Sequence, residues 1–234
     1  MFFSPFFASW TQSQVINAIS KSQNQAKAQK ALRLLRRMDK LYQAGYKEAR
    51  PNAVTYTSVL NSCAFPSVLA DPKTRRKALD TAIFTLEELQ ASRYGQPNQV
   101  TYGTFMKACA NLLSEEEEDV NRKRMVIEKA FQQCCRDGQV GEMVLAHLRD
   151  AAPKDLYYEL LEGAILEPIA DDKPLAAAVD SATFREVTVH DLPPEWRCNV
   201  RDELGARPTR ETSRTRGTKE LDPIEQNSGR QLAP

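Results

Sequence analysis

The 234 residues carry almost no net charge, +1 at neutral pH, and only two histidines, His147 and His190. Neither histidine forms a plausible set with a serine or cysteine and an acid, so the usual nucleophilic chemistry has no candidates. The nine glycines are scattered and form no phosphate-cradling loop. The five cysteines are an odd number, with no zinc-site spacing and too low a density for a disulfide framework. A reducing compartment fits that usage. No apolar run approaches the roughly 20 residues that span a bilayer. An enzyme is therefore not expected, nor is a cofactor, a metal site, a small-molecule substrate or a membrane partner.

The balance of charge hides an asymmetry. Residues 1–52 hold nine Lys/Arg against Asp39 and Glu48, a net of +7, whereas residues 140–180 hold three against nine acids, a net of −6. The first section could attract phosphate and the second would repel it, although charged residues also serve simply to solvate helix faces. The start, Met1–Trp10, is apolar but short. It lacks the basic segment of a secretory signal, and the absence of arginine before Arg33 makes it a poor organellar address. The sequence reads as beginning mid-array, as a fragment would.

What is present is a repeat. Pro51-Asn52-Ala53-Val54-Thr55-Tyr56 returns 46 residues later as Pro97-Asn98-Gln99-Val100-Thr101-Tyr102, and over fourteen positions from Pro51 seven are identical. Self-similarity at a fixed spacing of this size marks an array of supersecondary units. Such an array offers an extended surface, not one deep pocket. Each unit reads as two helices. The first runs roughly over 11–20, 54–64 and 100–113. The second carries an apolar stripe at helical spacing, Ala31, Leu35 and Met38, then Ala82, Leu86 and Leu89. Gly45 and Gly95, followed by Pro51 and Pro97, supply the stop signals. A worn third copy shows Ile127, Phe131 and Cys134, and further apolar patterns cover 143–148 and 155–165. Cys63 and Cys109 share one repeat position and read as small packing residues.

The expected fold is all-α, with repeats at 9–52, 53–98 and 99–138, the last degenerate, and capping helices over 139–170. A loop and an extension anchored by Trp196 follow over 171–206. The stretch 207–234, nearly free of aromatics and β-branched aliphatics, reads as a disordered tail.

These residues resemble a pentatricopeptide repeat array. The opening is Val54-Thr55-Tyr56 and Val100-Thr101-Tyr102; the stripe is Ala31 to Met38 and Ala82 to Leu89; the endings are Gly45 to Pro51-Asn52 and Gly95-Gln96-Pro97-Asn98. The likeness covers about residues 9–150, with both full copies lengthened by insertions. It implies an α-solenoid that reads single-stranded RNA one base per repeat. Carried across, Thr57 with Asn98 forms one reading pair and Val54 packs on the base. Ser13 with Asn52 forms another, with Trp10 in the valine position. Val100 stacks at the third step, where Gly103 offers no side chain. The hydroxyl–asparagine pairing implies a preference for adenine. The implied role is an adaptor in organellar RNA processing, stability or translation, in the mitochondrion or plastid. Some members carry a metal-dependent nuclease domain, but its clustered aspartates are missing here.

Local chemistry offers other readings. Ser13 and Thr57 could bond backbone groups in a first helical turn. Asn52 and Asn98 could be caps or turn residues. A helical scaffold for a protein partner is the alternative function, because arrays of this kind also bind peptides.

Overall fold

The computed structural model describes residues 8–67, 70–112, 117–162 and 187–200, with backbone alone for 8–13, 117–119 and 162. These residues belong to one compact unit that ends at Val200. The expected tail at 207–234 lies outside the described residues, as do 163–186 and 201–206.

The chain is helical, with no strand among the described residues. In order come α1 (Ala8–Ser20), α2 (Lys27–Gln43), α3 (Ala53–Ala64), α4 (Pro72–Ala91), α5 (Gln99–Leu112), α6 (Glu117–Arg136), α7 (Glu142–Ala151), α8 (Lys154–Glu162) and the one-turn α9 (Pro194–Arg197). The starts of α3 and α5 are rich in β-branched residues, which are mediocre helix formers. Capping starts both helices and burial holds them. Tyr56, Val59, Leu60 and Cys63 of α3 and Tyr102, Phe105, Met106 and Cys109 of α5 are buried. The turn before α4 is set by Asp71, whose carboxylate accepts the Thr74 amide at 2.7 Å, with Pro72 at the first helical position. Gly45 and Gly138 take positive φ, 98° and 64°, just after α2 and α6, where a side chain would be strained.

Successive helices pack in two rows. The first helices meet as neighbours, α1 on α3, α3 on α5 and α5 on α7. Along the other row, charge pairs cross each joint. Arg36 of α2 meets Glu88 of α4 at 2.5 Å. Asp80 and Glu87 of α4 meet Arg122 and Lys129 of α6. Arg124 of α6 meets Asp155 and Glu159 of α8. Half-exposed pairs of this kind contribute only about 0–1 kcal/mol each, so they align the joints more than they hold them. The holding comes from the buried stripes. Ile16, Leu35, Met38, Val59 and Leu89 form one cluster, and Leu60, Leu79, Phe105, Ile127, Phe131 and Leu148 belong to a second.

Two features sharpen the sequence reading. The segment expected to cap the array begins with α7, which lies along α5 as α5 lies along α3. Gly103 permits this approach, because a Cβ there would sit 2.8 Å from Cγ and Sδ of Met143. The second feature is the Trp196 segment. It returns to the α6–α7 turn, with the indole edge-on to Phe131 at 5.8 Å between centroids. The Val140 amide donates to the Trp196 carbonyl at 2.8 Å, and the Asn199 amide donates to Gly138 at 2.9 Å.

Leu35 is 1% exposed within the α1–α4 cluster. Leu35→Ala is expected to cost about 2–5 kcal/mol, read as a lower midpoint in urea unfolding. Burial pushes the thiols of Cys63, Cys109 and Cys135 up to about 12, and that of Cys134 well above its ordinary value. Cys198 is exposed. A thiol reagent at pH 8 should label exposed Cys198 first, half-buried Cys135 more slowly, and buried Cys63, Cys109 and Cys134 only as the protein unfolds.

Candidate nucleic-acid interface

The repeated hexapeptide is first of all a helix start. Asn52 caps α3, with Oδ1 accepting the Thr55 amide at 2.9 Å and the Thr55 hydroxyl at 3.0 Å. The Asn52 amide donates back to Thr55 Oγ1 at 3.4 Å, completing a capping box. Asn98 Oδ1 likewise accepts the Thr101 amide and the Thr101 hydroxyl, both at 3.0 Å. The tyrosine of each motif turns inward and anchors its hairpin through an acid. Tyr56 donates to Glu88 at 3.4 Å, and Tyr102 donates to Asp137 at 2.5 Å. Burial, helped by those carboxylates, pushes both phenols well above their ordinary pKa.

What remains on the surface is the valine and the asparagine. Val54 is 69% exposed, and Val100 is half-buried. Asn52 and Asn98 are exposed, each at the mouth of the next first helix. Their Oδ1 atoms are committed to the caps, which leaves the Nδ2 groups as the donors at the surface.

Thr57 and Asn98 are brought together through a residue that the sequence reading did not single out. The Thr57 hydroxyl lies 2.9 Å from Thr101 Oγ1, and Thr101 Oγ1 lies 3.0 Å from Asn98 Oδ1. Thr57 also reaches the Ala53 carbonyl at 2.8 Å. Its single proton has two acceptors within the protein, so toward a ligand it is an acceptor. The pair thus offers one donor, Asn98 Nδ2, beside one acceptor, Thr57 Oγ1. Thr101 could have been found from the Asn-x-x-Thr spacing of a capping box, but its cross-helix contact depends on how α3 sits against α5.

At the first step only Asn52 can be placed, because the side chains of Trp10 and Ser13 lie outside the described residues. The third step is built differently. Gly141 stands before α7 where Asn52 and Asn98 stand before α3 and α5, and it caps with no side chain. Gly103 faces Met143. The turn at 138–141 is covered by the returning segment, where Asn199 Nδ2 donates to the Asp137 carbonyl at 3.0 Å and Gln139 donates to the Asn199 carbonyl at 3.2 Å.

The basic N-terminal section is divided in use. Lys27 is buried and donates to the carbonyls of Ser20 and Ser22 at 3.1 and 3.0 Å, closing α1. Burial lowers its pKa. Arg36 serves the α2–α4 joint. Lys30, Arg33, Arg37, Lys40, Lys47 and Arg50 are exposed. Near the turn edge Arg50 donates to the Arg93 carbonyl at 3.3 Å, and the Arg93 guanidinium lies over Tyr42 and Tyr94, at 6.0 and 5.7 Å from the ring centroids.

No group of three or more His, Cys, Asp or Glu is placed to hold a metal ion among the described residues. No described helix is long and apolar enough to cross a membrane. Comparison with family models, with curated proteins and with solved structures returns no significant match.

Because the asparagines are caps, Asn52→Ala and Asn98→Ala should each lower stability by about 1 kcal/mol in urea unfolding. Serine at either position should keep the cap and stay within a few tenths of a kcal/mol of the parent. Equal losses for alanine and serine would contradict a capping role.

Proposed function

We propose that the helices form an α-solenoid of pentatricopeptide type and that the protein binds single-stranded RNA weakly through the N-terminal edge of its first helices. The observation that carries this reading is the Thr57–Thr101–Asn98 chain beside exposed Val54. It sets a donor, an acceptor and an apolar platform on one edge. An adenine edge, with N7 accepting and N6 donating, complements that pair. Asn52 places a second donor at the preceding step, where Ser13 and Trp10 complete the site in this reading.

The proposed affinity is low. Two bases at about 1–3 kcal/mol of stacking each correspond at best to tens of micromolar, before ordering costs. Most of the binding free energy then comes from the phosphate backbone and falls steeply with salt. A role as an adaptor in RNA processing, stability or translation, in a mitochondrion or plastid, follows from the repeat resemblance.

The second reading is a protein–protein scaffold. It is favoured by the use of Arg36, Arg122, Arg124 and Lys129 in joints between helices, which withdraws four cations from any phosphate-binding role.

Fluorescence anisotropy with short oligo(A), oligo(U) and oligo(C) at low and physiological salt separates the two. The expected result is salt-dependent binding, strongest for oligo(A), with the preference removed by Thr57→Val combined with Asn98→Ser. Both substitutions keep shape or cap while deleting the polar groups that would meet the base. No binding of any oligonucleotide at low salt would sink the RNA reading and leave the scaffold.

A further inference from the structure

The joint between α2 and α4 shows what one second helix requires of the next. Arg36 of α2 bonds Glu88 of α4 and lies 4.7 Å from the centroid of the Phe84 ring. Superposing the buried stripes, Ala31, Leu35 and Met38 on Ala82, Leu86 and Leu89, brings Arg33 to the place of Phe84 and Arg37 to the place of Glu88. The flank of α2 that faces away from α4 is thus the counterpart of the α4 flank that receives α2, with its acid and its aromatic both replaced by arginine.

That flank is uniformly basic. Lys30, Arg33, Arg37 and Lys40 recur at i, i+3, i+7 and i+10, so they share one face over about 15 Å of helix. All four are exposed. Among the described residues none of them pairs with a carboxylate, whereas every joint along this row of helices is crossed by an acid–base pair. Half-buried Leu34 and Leu41, seven residues apart, border the cations on the side nearer the core.

We infer that this flank of α2 docks an acidic amphipathic helix of a partner protein. The occupant carries carboxylates at i, i+3, i+7 and i+10 to meet the four cations, and a leucine-type stripe beside them to cover Leu34 and Leu41. Helix-on-helix packing with opposite charges is the arrangement of the other joints in this row, and the flank supplies half of one. The leucine border favours a protein helix over a phosphate backbone, which has no apolar edge to lay there. A single helix of 17 residues offers less area than a stable interface needs, so the contact belongs to the transient, salt-sensitive class. The inference does not depend on the RNA reading, whose site lies on the first helices.

The probe is a fluorescein-labelled helical peptide with glutamates at i, i+3, i+7 and i+10 and leucines on the adjoining stripe. The control is a scrambled peptide of the same composition, and both are titrated with the full chain at low and physiological salt. The patterned peptide should bind at least about tenfold more tightly than the scramble, and Arg33→Glu with Arg37→Glu should remove that difference. Both arginines are exposed, so the double variant should melt at the parent temperature; Arg33→Gln with Arg37→Gln supplies a milder test of the same contact. Equal binding of the two peptides would overturn the proposal, because a plain polyelectrolyte effect ignores spacing. Loss of oligo(A) binding in the charge-reversed variant, with the peptides still indistinguishable, would assign the stripe to nucleic acid instead.

Discussion

Among the described residues no helical pair covers its own apolar surface, and the rest of the structure depends on that shortfall. The stripe of α2, Ala31, Leu35 and Met38, is closed by Ile16 of α1, Tyr56 and Val59 of α3, and Leu89 of α4. The larger cluster runs in the same way from Leu60 through Phe105 and Phe131 to Leu148. Both clusters draw residues from successive helices, so each pair is completed by its neighbours. Residues such as Val59, Thr55 and Thr101 are helical because this burial outweighs their own preference.

The polar residues are fitted around the buried stripes with little redundancy. Asn52 and Asn98 satisfy helix N-termini that packing would otherwise leave bare, and Thr55 returns a bond to the Asn52 amide. Thr101 does more, because its hydroxyl also lies 2.9 Å from the Thr57 hydroxyl of the neighbouring helix. A structural cap and a candidate base contact therefore share atoms. In the proposed RNA-binding reading that economy bears on specificity: with Asn98 Oδ1 held by Thr101, Asn98 would meet a base as a donor and Thr57 as an acceptor. Fixing the hydrogen-bond direction in this way is what discrimination between base edges needs.

Charge is distributed by joint and not by domain. The net +7 of residues 1–52 contains Lys27, spent inside the fold, and Arg36, spent on Glu88. Of the remaining cations, Lys30, Arg33, Arg37 and Lys40 lie on the outer face of α2, where no described joint uses them, and Arg50 bonds the Arg93 carbonyl. At the other end Arg124 is met by Asp155 and Glu159, so part of the acidic excess is spent as well. A whole-section count overstates what either end presents to a partner.

Much of this was legible in the sequence. The apolar stripes at i, i+4 and i+7, the Gly-then-Pro stops and the duplicated hexapeptide placed the helices of the first two hairpins, because periodicity and turn chemistry are local properties. The buried identity of Cys63 and Cys109 followed from their shared repeat position. The candidate site was readable only as a set of positions. Whether Thr57 reaches Asn98 directly or through Thr101, and which atoms the caps leave free, depends on how α3 lies against α5. The approach of α7 to α5 over Gly103, the return of Trp196 to Phe131 and the free flank of α2 were likewise decided by tertiary packing. Each joins residues far apart in the chain, and spacing along a sequence carries no information about the distance between two helix faces.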